Sequence, residues 1–262
     1  MSHEEPFVLR HDRSDGLTTL TLNRPGQFNS LSQAMIAALQ AELDAIATSE
    51  EARVVVIAGA GRAFCAGHDL KEMCANRNKE FMLALFAQCG ELMQTIGRMP
   101  QPVIARVHGI ATAAGCQLVA ACDLAVAADV ARFAVSGINV GLFCSTPAVA
   151  LTRNLGRKAA LEMLLTGEFI DAMEARAKGL VNRVVPADAM DAEIERLAGA
   201  ILNKSAVAVR LGKGMYYRQL EMGLADAYAF ASEVMAGNMM SEDAGEGIDA
   251  FMQKRLPVYR GC

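Results

Sequence analysis

Nothing in this 262-residue sequence concentrates positive charge. Its 25 Lys and Arg against 29 Asp and Glu give a formal net charge of -4, and the basic residues are scattered rather than gathered in a stripe. A nucleic-acid surface needs such a stripe, so no nucleic-acid partner is expected. Thiols at ligand spacing are missing as well. The seven cysteines, Cys65, Cys74, Cys89, Cys116, Cys122, Cys144 and Cys262, are an odd number with no C-x-x-C pair and no histidine at zinc-ligand spacing. They read as reduced thiols, and no metal site is expected. An uninterrupted apolar span is also lacking: the longest apolar region, Pro102 to Ala128, is broken by Arg106, His108, Gln117 and Asp123, so no membrane partner is expected. The opening MSHEEPFVLRHD has neither an apolar signal core nor an Arg-rich amphipathic stretch, which gives the expectation of a cytoplasmic protein. A nucleotide fingerprint fails too. Gly59 and Gly61 follow an apolar run, but Phe64 stands where a third glycine belongs, so these glycines read as a turn.

What the sequence does hold is core material: 53% of residues are hydrophobic and only 21% charged. Leu17, Leu20 and Leu22 in DGLTTLTLNRP read as an alternating strand, and ARVVVIAGAG as a strand buried on both faces. Between them Met35, Ile36, Leu39, Leu43 and Ile46 share one helical face behind Ser32 as N-cap. A helix over Lys79 to Gly97, the strand QPVIARVHG, a short helix in AAGCQLVAAC and the strand DLAVAAD continue the alternation, giving an α/β fold. From about Ala187 the pattern turns to helices alone. This divides the chain into a core over residues 1–186 and a helical region over 187–262. The apolar faces of that region exceed what so short a bundle buries on itself, so they are expected to pack on the core or on another subunit.

Two strand-to-helix corners carry the candidate chemistry. In FCAGHDLKEM, Ala66 and Gly67 bring backbone close to a neighbour before a helix starts near Asp69. In HGIATAAGCQL, Ala113, Ala114 and Gly115 do the same. Helix N-termini present unpaired N–H groups that suit an oxyanion, and two such corners can face one carbonyl oxygen. Ordinary tight turns use the same residues, and spacing alone leaves both readings open.

These two segments, followed by LTGEFIDAMEARAKGLVNRVVP at this separation, resemble the crotonase (enoyl-CoA hydratase/isomerase) superfamily from about Leu17 to Arg255. Within it the chain is most similar to a mitochondrial group of hydratase-domain proteins lacking the family's two catalytic glutamates. The resemblance implies a spiral of repeated strand-strand-helix turns with a C-terminal helical trimerisation region, assembling as a homotrimer or dimer of trimers. It also implies an acyl-CoA lyase or isomerase that binds an acyl-CoA thioester, coenzyme A entering only as part of the substrate and no other cofactor being needed. By the same resemblance the N–H groups of His68 and Ala114 form an oxyanion hole. Gln27, Phe28, the backbone around Ala66, Lys71 and Lys254 line the CoA site.

Hydratases of the family carry one glutamate in the helix after the second corner and another in the loop after the next strand. Gln117 and Gly137 stand there in this chain. An amide does not titrate near neutral pH and glycine has no side chain, so neither residue is a general acid or base. The loop SGINVGLFCSTP places Cys144, Ser145 and Thr146 where some relatives keep reactive groups; Cys144 reads equally well as a small core residue. His68 likewise reads either as an acting imidazole or as a residue whose backbone alone matters. Decarboxylation needs only an enolate-holding oxyanion hole, so a malonyl-type CoA thioester is one alternative substrate. A non-catalytic acyl-CoA binder is the other.

Overall fold

The computed structural model describes residues 5–262. Its strands in chain order are β1 (Val8–Asp12), β2 (Leu17–Leu22), β3 (Val54–Gly59), β4 (Ala63–Cys65), β5 (Val103–Val107), β6 (Ile110–Thr112), β7 (Leu124–Ala128), β8 (Arg132–Ala134), β9 (Ile170–Asp171) and β10 (Arg183–Val185). The helices are α1 (Gln33–Ala47), α2 (Leu70–Ala75), α3 (Lys79–Arg98), α4 (Ala114–Ala121), α5 (Ser145–Asn154), α6 (Arg157–Thr166), α7 (Ala172–Lys178), α8 (Met190–Leu202), α9 (Ala206–Gln219), α10 (Leu224–Met239) and α11 (Glu242–Gln253).

Two sheets form. The larger has six strands in the order β1-β2-β3-β5-β7-β10, and the smaller has four in the order β4-β6-β8-β9. Each pass of the chain lays one strand in each sheet, β3 then β4, β5 then β6, β7 then β8, before a helix returns it to the start. Pairing is parallel within these passes, and antiparallel only where β1 meets β2 and β9 meets β8. The strand-strand-helix spiral therefore places the end of every short strand next to the start of a helix.

The inner strands of the large sheet, β2, β3, β5 and β7, are buried on both faces. Leu20, Leu22, Val55 and Ile57 join the main core with Met35, Ile36, Leu39, Leu43 and Ile46 of α1. Leu17, Val54, Val56, Ile104 and Val126 face the other way, onto Met190, Ile194 and Ala198 of α8. The leucines of β2 thus serve two cores rather than one alternating face, and Thr18 is buried because its hydroxyl donates to Asp12 at 2.7 Å. Each fully buried leucine or isoleucine contributes about 1.5–3 kcal/mol over an exposed one.

Beyond residue 187 a second anchor holds helix to core. Lys213 of α9 is 9% exposed, and its ammonium donates to Ile96 O at 2.7 Å, Gln101 O at 2.8 Å and Asp123 Oδ2 at 2.7 Å. Tyr217 OH donates to Asp123 Oδ1 at 2.7 Å. Burial lowers the Lys213 pKa, opposed by the attraction of Asp123. Farther along, Leu224, Tyr228 and Met235 lie 76%, 70% and 70% exposed on α10, while Phe230 is half-buried with the Arg218 guanidinium 4.4 Å above its ring. No helix of the described residues is long and apolar enough to cross a membrane.

Candidate active site

The two small-residue corners meet. Gly67 leaves β4 at φ +88, a left-handed conformation that disfavours any side chain. A Cβ there would lie 2.8 Å from Ala113 Cβ, 3.0 Å from Thr112 O and 3.1 Å from Ala114 N. His68 follows Gly67, so the His68 and Ala114 backbones sit side by side. Each N–H has no partner among the described residues. The bridge to Leu31 runs through Gly67 O and Asp69 N and skips the His68 N–H. Ala114 opens α4 with no side chain capping it.

The second corner is held by strain and close packing. Ala113 has φ 50 and ψ -121, an unusual conformation for alanine that costs on the order of 1–3 kcal/mol unless its surroundings enforce it. Its N–H donates to Ala134 O at 3.0 Å, and Gly115 presses on the Cys65 carbonyl so tightly that no Cβ fits between. At the first corner two of the helix N–H groups expected to be open are satisfied. Asp69 caps α2, accepting from Lys71 N at 2.8 Å and Glu72 N at 3.1 Å, while the His68 and Leu70 N–H groups have no partner among the described residues.

The His68 ring is buried edge-on against Phe86 of α3, with centroids 5.3 Å apart, and its Nε2 has no partner. Burial pushes the imidazole pKa down to about 4, so the ring is neutral in the physiological range. Gln117 lies three residues beyond Ala114 on the same face of α4, and helical side chains lean toward the N-terminus, over that first turn. It is 3% exposed with Oε1 unpartnered. Gly137 lies within the 3-10 segment Ser136–Val140, where a Cβ would meet Cys144 Sγ and Leu142 O, both at 2.7 Å. Cys144 is 8% exposed and stands immediately before α5; burial raises its thiol pKa, partly offset by a hydrogen bond from the Gly137 N–H.

The residues expected to hold CoA divide. Gln27 and Phe28 are exposed on the Pro25–Gln27 turn, with the Arg62 guanidinium 4.3 Å above the Phe28 ring. This loop is fastened beside β4 by Asn29, which sequence reasoning missed. Fully buried at φ 53, Asn29 donates to Ala60 O, Ala63 O and Phe64 O and accepts from Arg24 N. A polar residue closing a Pro-Gly turn was the available signal. The Ala66 N–H donates to Phe28 O at 3.0 Å, so it serves the loop and not a ligand. Lys71 is exposed at the start of α2. Lys254 ends α11, which packs on α10 and the C-terminal tail. Among the described contacts of the single chain, Lys254 joins none of the corner residues. No group of three or more His, Cys, Asp or Glu among the described residues could hold a metal ion.

Residues 12–261 match the family described as Enoyl-CoA hydratase/isomerase. The chain belongs to this family. The mouse protein named enoyl-CoA hydratase domain-containing protein 3, mitochondrial, is 46% identical over 258 residues, covering 98% of this chain and 86% of that one. A crystal structure of an enoyl-CoA hydratase from Mycobacterium smegmatis superposes with a TM-score of 0.96 at 58% identity, over 97% of this chain and 99% of that one. The human enoyl-CoA hydratase domain-containing protein 3 gives 0.93 at 45% identity, over 97% and 100%. The α/β spiral is thus the crotonase fold. The cytoplasmic expectation is corrected: it rested on the N-terminal residues alone, and the mouse, rat and human relatives, each 46% identical, are all named mitochondrial.

Proposed function

We propose that this protein is an acyl-CoA enzyme that holds a thioester carbonyl between the His68 and Ala114 N–H groups and stabilises the enolate formed from it. The observation that carries this is the cradle at Gly67, where a Cβ would come within 3.1 Å of Ala114 N. Fixed backbone donors in a water-poor corner cost no reorganisation when charge develops on oxygen, and each is worth about 100- to 1,000-fold in turnover. On this reading Gln27, Phe28 and Lys71 line the CoA path. Lys254 reaches it only from another subunit of a homotrimer or dimer of trimers, which the exposed apolar residues of α10 support.

Ordinary hydration is not the reaction we assign. The family places its acid and base where Gln117 and Gly137 stand, and each such group contributes about 100- to 10,000-fold. A second reading, decarboxylation of a malonyl-type thioester, is favoured by one observation: Gln117, Cys144 and the His68 ring are all uncharged at neutral pH. A substrate carboxylate there is neither repelled by an enzyme carboxylate nor held by a cation; when its C–C bond breaks, neutral carbon dioxide leaves and the electron pair passes through the α-carbon to the thioester oxygen, where the two N–H groups stabilise the charge.

The test is infrared difference spectroscopy of butyryl-CoA carrying a 13C-labelled thioester carbonyl. Two N–H donors should shift the bound C=O stretch to lower frequency, and Ala114→Pro, which removes one donor, should reduce that shift. The residue before a proline cannot keep the φ 50 and ψ -121 of Ala113, so folding of this variant is checked by circular dichroism. A bound ligand with an unshifted carbonyl in the native protein overturns the oxyanion assignment. Absence of binding and of turnover across a thioester panel overturns the acyl-CoA reading altogether.

A further inference from the structure

The turn at Gly59 and Gly61, which lacks the third glycine of a nucleotide fingerprint, makes room for a loop instead. A Cβ on Gly59 would lie 2.9 Å from Asn29 Nδ2, and one on Gly61, at φ +76, would lie 2.6 Å from Pro25 Cβ. Residues without side chains here let the loop over residues 24–31 settle against the end of β3 and the start of β4. Into that space goes the fully buried Asn29. Its Nδ2 donates to Ala60 O at 2.9 Å, Ala63 O at 2.9 Å and Phe64 O at 3.2 Å, and its Oδ1 accepts from Arg24 N at 2.9 Å. One amide thus ties β4 and the turn before it to the base of the loop, with its hydrogens shared among the carbonyls.

From Asn29 the contacts continue along the first corner. Phe28 O accepts from Ala66 N at 3.0 Å, Gly67 O from Leu31 N at 2.7 Å and Leu31 O from Asp69 N at 3.4 Å, while Ser30 Oγ donates to Asp69 Oδ2 at 3.3 Å. Residues 28–31 therefore run as a strap beside residues 63–69. Leu31 and His68 form a parallel bridge whose hydrogen bonds belong to the residues on either side of His68, so the His68 N–H points away from the strap. The other neighbour of this segment is the second corner, where Ala114 N lies 3.1 Å from the Cβ position of Gly67.

We propose that Asn29 is a positioning residue for the oxyanion hole: by fixing the strap it fixes the direction of the His68 N–H. The proposal rests on the enolate reading above. The His68 N–H has no partner of its own among the described residues, so its direction is set by the bonds that Leu31 makes to Gly67 O and Asp69 N. Gly67, with no Cβ, adds little steric restraint. Removing the Asn29 amide leaves Ala60 O, Ala63 O and Phe64 O without that donor, and water entering to satisfy them loosens the strap from β4. A donor that must meet a developing oxyanion is sensitive to such loosening, since a misplacement of about 1 Å can cost about 100-fold in rate. Asn29 touches neither substrate nor reacting atoms and acts through Leu31 and His68.

The experiment is the infrared shift of the 13C-labelled butyryl-CoA carbonyl at saturation, with affinity from calorimetry and folding from circular dichroism. Asn29→Gly accepts the left-handed backbone, and Asn29→Asp keeps size and the acceptor for Arg24 N while losing the donors, so together they separate the amide from the conformation. Both should lose about half of the native shift, as expected when one of two donors is misaligned. Gln27→Ala, which removes an exposed side chain of the same loop, should weaken binding yet keep the full shift. A native shift retained in the folded Asn29 variants, an equal loss in Gln27→Ala, or folded Asn29 variants that do not bind at all would overturn the positioning role and leave the oxyanion hole intact. An unshifted carbonyl in the native protein overturns the underlying reading instead. If neither Asn29 variant folds, hydrogen exchange on the ligand-free native protein decides: residues 28–31 and 63–69 should be protected together, and exchange of residues 28–31 at the rate of unfolded chain would overturn the strap.

Discussion

Replacing Gln117 with glutamate puts a carboxyl where the amide now lies, and the structure sets what that costs. The amide is 3% exposed and its Oε1 has no partner among the described residues. A carboxyl put there loses its hydration without gaining a partner, which raises its pKa in the folded state; full burial shifts carboxyls by up to about 3–5 units. The first turn of α4 offsets part of this, since its dipole favours an anion by about 0.3–1 kcal/mol. A net rise of about 2–3 units corresponds to about 3–4 kcal/mol. The sign follows from linkage. With the folded pKa above the unfolded value near 4.3, the variant matches the native protein below about pH 4 and falls behind as pH rises toward the folded pKa. Urea titrations of Gln117→Glu at several pH values between 4 and 8 should therefore show a gap that opens with pH to about 3–4 kcal/mol, and closes when an acyl-CoA occupies the site. A pH-independent gap, or none, would refute the claim that the amide lies unpartnered in a low-dielectric corner. On the proposed reading, hydration of crotonyl-CoA should remain slow in this variant, because it needs a second carboxyl and none can simply be added at 137. At 137 its Cβ would run into Leu142 O and Cys144 Sγ at 2.7 Å, and the first of these is backbone.

Two further outcomes are expected. Lys213→Met removes the ammonium from Ile96 O, Gln101 O and Asp123, leaving a buried carboxylate uncompensated; thermal denaturation should register a loss of about 3–5 kcal/mol, partly recovered in Lys213→Met with Asp123→Asn. A loss below about 1 kcal/mol would mean that the anchor carries no weight. Light scattering at micromolar concentration should give a trimer or hexamer, and Leu224→Glu with Tyr228→Glu should shift it toward the monomer; a stable native monomer would remove the proposed route for Lys254.

Much of the fold was legible because the long elements are periodic and their ends are marked. Ser32 and Asp69 cap the helices they precede, and the apolar stripe of α1 is buried at every expected position. The short strands β4, β6 and β8 carried no comparable signal. Three residues are too few for a period, and what makes them strands is pairing with one another across long sequence separations. The same holds for the site. Gly67, Ala113, Ala114 and Gly115 were readable as places where backbone comes close, since small residues in succession have few other uses at a strand end. What they come close to was not readable. The cap by Asp69, the burial of His68 against Phe86, and the filling of the Gly137 space by Cys144 each join residues that meet only through the third dimension.

On the proposed reading, that contrast explains how an oxyanion hole can stand without a carboxylate beside it. The hole is built from main-chain N–H groups, and their positions follow from Gly67 in a left-handed turn, from Gly115 against the Cys65 carbonyl and from the strained Ala113. Altering any of these forces backbone to move, so the hole is inseparable from the spiral that folds around it. Gln117 and the residue at 137 are attached to that frame by side chains alone. Exchanging an amide for a carboxyl changes charge without changing shape, and glycine at 137 is compensated in volume by a thiol from the next helix. The proposed carbonyl-binding function is therefore a matter of the fold, while the fate of the proposed enolate is a matter of a few side-chain atoms around it.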